Sequence, residues 1–336
     1  MPAFVRSASL GNYREVASRT GLDPEALIRE AGLDPAFLAN PDLRIPAAAV
    51  TSLLEASARA SGCLTFGLQM AESWRLSDFG AISLLLTHER TLRDAIEATI
   101  RYRHLLNDSL TLSLEDADGL VIVREELVTG AVASRQGIEL ALGVVFRMFR
   151  ALLGAQWRPR SVRFTHAAPA DLAIHRRVFG IAPEFDAEFN GIVCVAADLD
   201  RPNPSADPAL AKHARSYLET LATPHASSLA QEVRHAIHLL LPSGRASMEG
   251  IAQGLGINAR TLQRQLEASG ESFSALLNAA RRELVTRYLG NPAYSLGQVG
   301  ELLGFAYPSS FTRWFVSQFG ESPNRWRSKQ REAAKR

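Results

Sequence analysis

The 336-residue sequence predicts an α+β N-terminal domain, helices with a small antiparallel or mixed sheet, followed by an all-α C-terminal domain with two helix-turn-helix motifs joined by a long helix. Three observations predict it. Period-two alternation frames an Asp118-Gly119 turn in "SLTLSLEDADGLVIVREELV", the pattern of a two-residue hairpin. Beyond residue 226 no stretch reads as a convincing strand, and every apolar repeat has helical spacing. Within that helical region, a block at 247–272 recurs at 295–322.

Taken in order, "DPEALIREAG" and "PAAAVTSLLEASARASG" have helical spacing and close on a glycine suited to a C-cap. "DFGAISLLLTHERTLRDAIEATIRYRHLL" divides into two helices, with Thr91 as N-cap of the second. After the hairpin, "RQGIELALGVVFRMFRALLG" returns to helix, "SVRFTHAA" reads as a strand, "ADLAIHRRVFG" as a capped helix and "FNGIVCVAADL" as another strand. A small sheet flanked by helices is the simplest assembly of these pieces. Three prolines and three aspartates in "AADLDRPNPSADPAL" end this domain near residue 200. Residues 201–225 then serve as linker and connecting helix, 226–328 form the helical domain, and 329–336 a basic tail.

Charge separates the two halves. Residues 224–336 hold 14 Lys and Arg against 8 Asp and Glu, a balance of +6, whereas 1–223 hold 23 against 27, a balance of −4. Such asymmetry suggests a polyanion-binding module joined to something else. The N-terminus has no apolar core of signal-peptide length, and nowhere do 18 apolar residues run together, so an intracellular, cytoplasmic protein with no membrane partner is expected.

In the repeat, Ser247, Ile251, Leu255 and Gly256 match Ser295, Val299, Leu303 and Gly304 at an offset of 48. Leu262, Arg264 and Leu266 match Phe311, Arg313 and Phe315 at 49, and Gly-Glu-Ser closes both copies at an offset of 50. Each copy therefore offers a serine N-cap, a short helix, a glycine that permits positive φ, and a second helix with one polar face. That face carries Arg260, Thr261, Gln263 and Arg264 in the first copy, and Ser309, Ser310, Thr312 and Arg313 in the second. Arg and Gln can donate in pairs to base edges in the major groove, and Ser and Thr can read bases or phosphates. One helix over "SFSALLNAARRELVTRYLG" would separate the copies by roughly 27 Å, or about 34 Å with the turns, one turn of B-DNA. Arg325 and Arg327, in "RWRSKQREAAKR", are expected to meet phosphates.

"IAQGLGINARTLQRQL", "LLGFAYPSSFTRWF" and "FGESPNRWR" together resemble the AraC/XylS family of bacterial transcription regulators, over about residues 226 to 328. The acidic first domain is similar to the effector-binding domain of the branch related to regulators of ornithine use, rather than to a cupin barrel. The resemblance implies double-stranded operator DNA and a small-molecule effector as partners, a homodimer, contact with RNA polymerase, and no enzymatic activity. Three positions depart from the family pattern. Tyr307 stands where a capping Asp or Ser is common, Gly300 where alanine is usual, at about 1 kcal/mol of helix propensity, and Trp326 where tyrosine is typical.

Other features carry less. "GLGINA" fits a dinucleotide fingerprint but follows a helix rather than a strand. His235 and His238 share a helix face without a third ligand, Cys63 and Cys194 are isolated, and no nucleophile or metalloprotease motif occurs, so neither cofactor nor metal is expected. Trp74, Arg101, Tyr102 and His104 are the effector-binding candidates, since an arginine beside aromatic rings suits a carboxylate or ring. The competing possibility for "RYRHLL" is a partly exposed amphipathic helix, and for the whole protein a helical protein-interaction module without direct DNA readout.

Overall fold

The computed structural model describes residues 3–128, 134–221, 228–292 and 294–333. The expected break at "ATPHASS" and the end of the basic tail fall mostly outside them. The chain divides into two compact units, Met1–Ala226 and Ser227–Arg336.

The first unit opens with β1 (Phe4–Arg6), α1 (Tyr13–Arg19), α2 (Pro24–Glu30), β2 (Arg44–Pro46), α3 (Ala47–Ser61) and α4 (Phe66–Ala71). Strands β1 and β2 pair antiparallel, a contact too short to show in the residue pattern. Asp23 caps α2 by accepting from the Glu25 and Ala26 backbone N–H groups. Leu10, Tyr13, Ile28, Leu53 and Phe66 fill a core of their own. There the Tyr13 hydroxyl meets Ser57 Oγ at 2.8 Å, so the ring stays buried without an orphaned polar atom.

A second core follows. Helices α5 (Ile82–His88) and α6 (Leu92–Arg101) lead into β3 (Leu110–Ala117) and β4 (Leu120–Leu127), then α7 (Arg135–Leu153), β5 (Ser161–Arg163), α8 (Ala173–Phe179), β6 (Gly191–Val195), α9 (Ala196–Leu199) and α10 (Pro208–Leu221). Thr91 accepts from the Asp94 N–H at 3.1 Å, the cap expected of it. Asp118 and Gly119 both take positive φ, as a type I′ hairpin requires, and Ala117 pairs with Leu120. The sheet order is β3-β4-β6-β5, and each pairing is antiparallel. Val121, Val123, Ile192 and Cys194 lie in one buried cluster with Leu142, Phe146 and Phe149 of α7.

Two expectations shift. The strand read over "FNGIVCVAADL" stops at Val195 and turns into α9. Helix α10 is no free connector: Ala211, Ala214 and Leu218 are buried in the same core, and Arg215 pairs with the buried Glu89 at 2.5 Å. The proline-rich segment before α10 broke the pattern, but the apolar stripe of the helix had to be covered by something.

The second unit consists of α11 (Leu229–Leu240), α12 (Met248–Gly254), α13 (Ala259–Ala268), α14 (Phe273–Gly290), α15 (Leu296–Leu302), α16 (Pro308–Phe319) and α17 (Pro323–Ala333). Its core gathers Ile251, Leu262 and Leu266 from one helix pair, Val299, Phe311 and Phe315 from the other, and Leu284 and Val285 of α14. His238 Nε2 lies 3.1 Å from Glu283 Oε2 of α14. Among the described residues no cluster of three or more His, Cys, Asp or Glu could hold a metal.

Candidate functional site

Both helix pairs of the second unit are built alike. Ser247 accepts from the Gly250 N–H and Ser295 from the Gln298 N–H, so each first helix starts on a serine cap. Gly256 and Gly304 turn the chain with φ near 70°, at +71° and +70°. The second helices differ at their start. Asn258 caps α13 by accepting from the Thr261 N–H at 2.8 Å, whereas Tyr307, in extended cap geometry ahead of Pro308, makes no side-chain cap bond.

The repeated Gly-Glu-Ser also has a structural reason. Gly270 and Gly320 end α13 and α16 in left-handed conformation, and the serine two residues on caps the next helix: Ser272 accepts from Ala275 N–H, Ser322 from Arg325 N–H. One tripeptide closes one helix and opens another.

On α13, Leu262 and Leu266 are buried while Arg260, Gln263 and Arg264 are exposed and Thr261 is half-buried. On α16, Phe311 and Phe315 are buried, Ser309, Thr312 and Arg313 are exposed, and Ser310 is half-buried. Arg260, Arg264 and Arg313 have no hydrogen bond or ion pair among the described residues. Gln263 is partly engaged, donating to Glu267 at 2.9 Å, and the Thr312 hydroxyl donates to the Pro308 carbonyl at 3.0 Å. A face of unpaired guanidiniums on a helix held from behind is free to meet an external acceptor.

The second pair is held by α14 and α17. Arg281 of α14 donates to the Leu303 carbonyl at 2.9 Å and lies 4.1 Å over the Phe305 ring, so the turn before α16 is fastened from below. Trp314 Nε1 donates to Asn278 Oδ1 at 3.0 Å. Trp326 of α17 meets Phe315 edge-on with centroids 6.3 Å apart, which gives the indole a packing role at the position where tyrosine was expected. The two tail arginines are unequal: Arg325 is exposed and lies 3.6 Å from Glu321, which also takes Lys329 at 2.8 Å, whereas Arg327 is half-buried.

The four effector candidates of the first unit do not come together. Trp74 is buried against Phe79, ring centroids 4.4 Å apart, and lines a cavity of about 130 Å³ between β4, α3 and α7. Arg101 and Tyr102 instead line a cleft of about 420 Å³ beside α10, where the Tyr102 hydroxyl is buried without a partner and burial pushes it above its ordinary range. His104 borders a third hollow with Arg44 and Asp108.

One group in the Trp74 cavity escaped sequence reasoning. Alternation puts Glu125 on the same face of β4 as Val121 and Val123, fully buried, and neither carboxylate oxygen has a hydrogen-bond partner. Burial, with the neighbouring Glu126 charge, pushes its carboxyl up to about 8. The available signal was a charged residue in the apolar register of "VIVREELV".

Residues 21–203 match the family described as the arabinose-binding domain of AraC transcription regulator, N-terminal, and residues 251–329 match a helix-turn-helix domain. The HTH-type transcriptional regulator VirS of Mycobacterium tuberculosis is 31% identical over 329 residues, covering 97% of each chain. The ornithine utilization regulator of Pseudomonas aeruginosa is 26% identical over 317 residues, 93% of each chain. Over 84 residues, a quarter of each chain, the HTH-type transcriptional regulator RipA of Corynebacterium glutamicum is 42% identical. Among the described residues the first unit carries an open four-stranded sheet and a two-stranded one rather than a closed barrel, which agrees with a helical, non-cupin domain. On this evidence the chain belongs to the AraC family of DNA-binding transcription regulators, with an N-terminal effector-binding domain ahead of a helix-turn-helix domain.

Proposed function

We propose that the second unit reads an operator through two helix-turn-helix motifs, α12–α13 and α15–α16, which set α13 and α16 into successive major grooves. The observation that carries this is the pair of alike helix ends, each presenting unpaired arginine on an exposed face: Arg260 and Arg264 on α13, Arg313 on α16. The 18 residues of α14 give a spacer of roughly 27 Å, which supports a span of one duplex turn. Gln263, Thr261, Ser309, Ser310 and Thr312 complete the reading faces, and Arg325 serves phosphates better than Arg327, whose side chain is half-buried.

The functional form is a cytoplasmic homodimer that responds to a small effector in the first unit and works with RNA polymerase at a promoter. No helix among the described residues is long and apolar enough to cross a membrane. Effector binding must favour one state of the dimer over another if it is to change regulation.

A gel-shift of the full chain against its own upstream DNA, across a salt series, tests the DNA part. The expected result is affinity falling steeply with salt, and footprinting of the same complex should show two protected clusters about 10 bp apart per protomer. Equal binding to random DNA at moderate salt would rule out direct readout and favour the protein-interaction alternative.

A further inference from the structure

We propose that the cavity between β4, α3 and α7 is a binding site for a small, largely apolar primary amine whose ammonium group docks on Glu125. The inference rests on the effector-binding reading of the first unit and names the site and the ligand class.

The cavity holds about 130 Å³, close to the ~150 Å³ of an apolar cavity that accepts benzene, so one ring or a short branched chain fits. Half of its lining is Val, Leu, Trp and Phe, including Val50, Leu112, Trp74 and Phe79. Arg6, Ser9, Thr51, Asp78, Thr99, Asn107, Ser109 and Glu125 interrupt that wall, and two of them hold buried polar atoms without a partner. Glu125 is fully buried with both oxygens unpartnered, and Ser9 Oγ is buried and unpartnered as well. A buried carboxyl with no donor is costly to keep, and a ligand that brings donors relieves it.

The local charges select the sign of the head group. Among the described residues Arg6 is the one basic residue on the cavity wall, and its guanidinium is already committed to Asp42, at 2.6 and 3.1 Å, and to the Asp78 carbonyl at 2.8 Å. An incoming carboxylate would therefore face Glu125 with no free cation. An ammonium would pair with Glu125 and direct a further N–H at Ser9 Oγ.

Thermal unfolding of the full chain with millimolar benzylamine, benzyl alcohol, toluene or benzoate tests this, supported by titration calorimetry. Benzylamine should raise Tm by about 2–4 °C, benzyl alcohol less, and benzoate not at all. Glu125→Gln should weaken benzylamine by about tenfold or more while leaving toluene unchanged. Ala141→Leu, which fills the cavity from α7, should abolish binding of every probe. Benzoate binding as strong as benzylamine, or benzylamine affinity unchanged in Glu125→Gln, would overturn the site. In the second case a shift common to both proteins would still support an effector site elsewhere in the first unit. If no probe binds while the same preparation retains operator binding, the amine site falls and the regulator stands.

Discussion

Gly300 of α15 lies directly against Phe311 of α16: a methyl built on Gly300 would stand 3.2 Å from Phe311 Cβ, tighter than nine in ten real contacts of that kind. The first helix pair carries Ala252 and Leu262 at the matching positions, both buried. A larger ring on one helix is thus matched by a missing methyl on the other. The glycine at 300, at its helix cost, leaves room for Phe311, whose Cβ, Cγ and Cδ1 lie 3.2, 3.4 and 3.5 Å from that methyl position.

The pair should be energetically coupled. Gly300→Ala adds about 1 kcal/mol of helix propensity but crowds Phe311, at an overpacking cost of about 1–3 kcal/mol, so a net loss of stability is expected. Phe311→Leu alone leaves a cavity and also destabilises. The double variant recreates the Ala–Leu pair of the first helix pair, and its loss should fall short of the sum by about 0.5–3 kcal/mol. Denaturant unfolding of the full chain, followed by Trp314 and Trp326 fluorescence, measures the cycle; strict additivity would show that the contact does not matter.

Tyr307 offers a simpler test. Its backbone already has extended cap geometry, φ −134° and ψ 137°, its side chain is 69% exposed, and it makes no cap bond. Tyr307→Ser or Tyr307→Asp supplies an acceptor for the orphan N–H groups of α16 and should stabilise the second unit by about 0.5–2 kcal/mol. An unchanged unfolding midpoint would mean that Pro308 alone suffices to start the helix.

The helical unit was legible because its devices are local. Serine caps, turn glycines and 3.6-residue periodicity recur within each copy, so α12, α13, α15 and α16 could be placed from residues alone. The same held for the Asp118-Gly119 hairpin. What stayed hidden depends on long-range pairing. The β1–β2 contact spans two three-residue segments, and α10 joins the first core through Leu218 and the Arg215–Glu89 pair, partners 126 residues apart. Candidate DNA contacts were similarly readable as the polar face of an amphipathic helix. Glu125 was not, because a carboxyl near a strand end normally signals exposure, and only the packing of α7 against β4, with α3 lining the same cavity, shows that it is enclosed.

Base-reading and phosphate-binding arginines should separate in a binding assay. Arg264→Ala and Arg313→Ala should each cost on the order of 1–3 kcal/mol at one base position and relax preference there, since both guanidiniums are unpaired on the exposed faces of α13 and α16. Arg325→Ala should weaken all sequences alike and reduce the salt slope by about 1. Competition binding against single-base operator variants distinguishes the two classes; uniform weakening for Arg264 or Arg313 would reassign them to the backbone.

Glu125 should also make folding stability depend on pH. Its carboxyl is raised from the ordinary value of 4.5 to about 8 in the folded chain, by burial first and by the Glu126 charge second. Below pH 4.5 both states are protonated there and the group has no effect. Between 4.5 and 8 the unfolded chain ionises at this position while the folded chain keeps its proton, so stability falls as pH rises, and above 8 the loss is complete. Over that window the cost amounts to a few kcal/mol, at ~1.4 kcal/mol per pH unit. Glu125→Gln removes the titration, so the variant should lose this downward trend and be the more stable protein at pH 8. Urea unfolding of the first unit's fluorescence signal at pH 5, 6.5 and 8, in wild type and variant, checks it. Parallel pH profiles would show that Glu125 is ionised in the folded state, with a counter-charge or water reaching it.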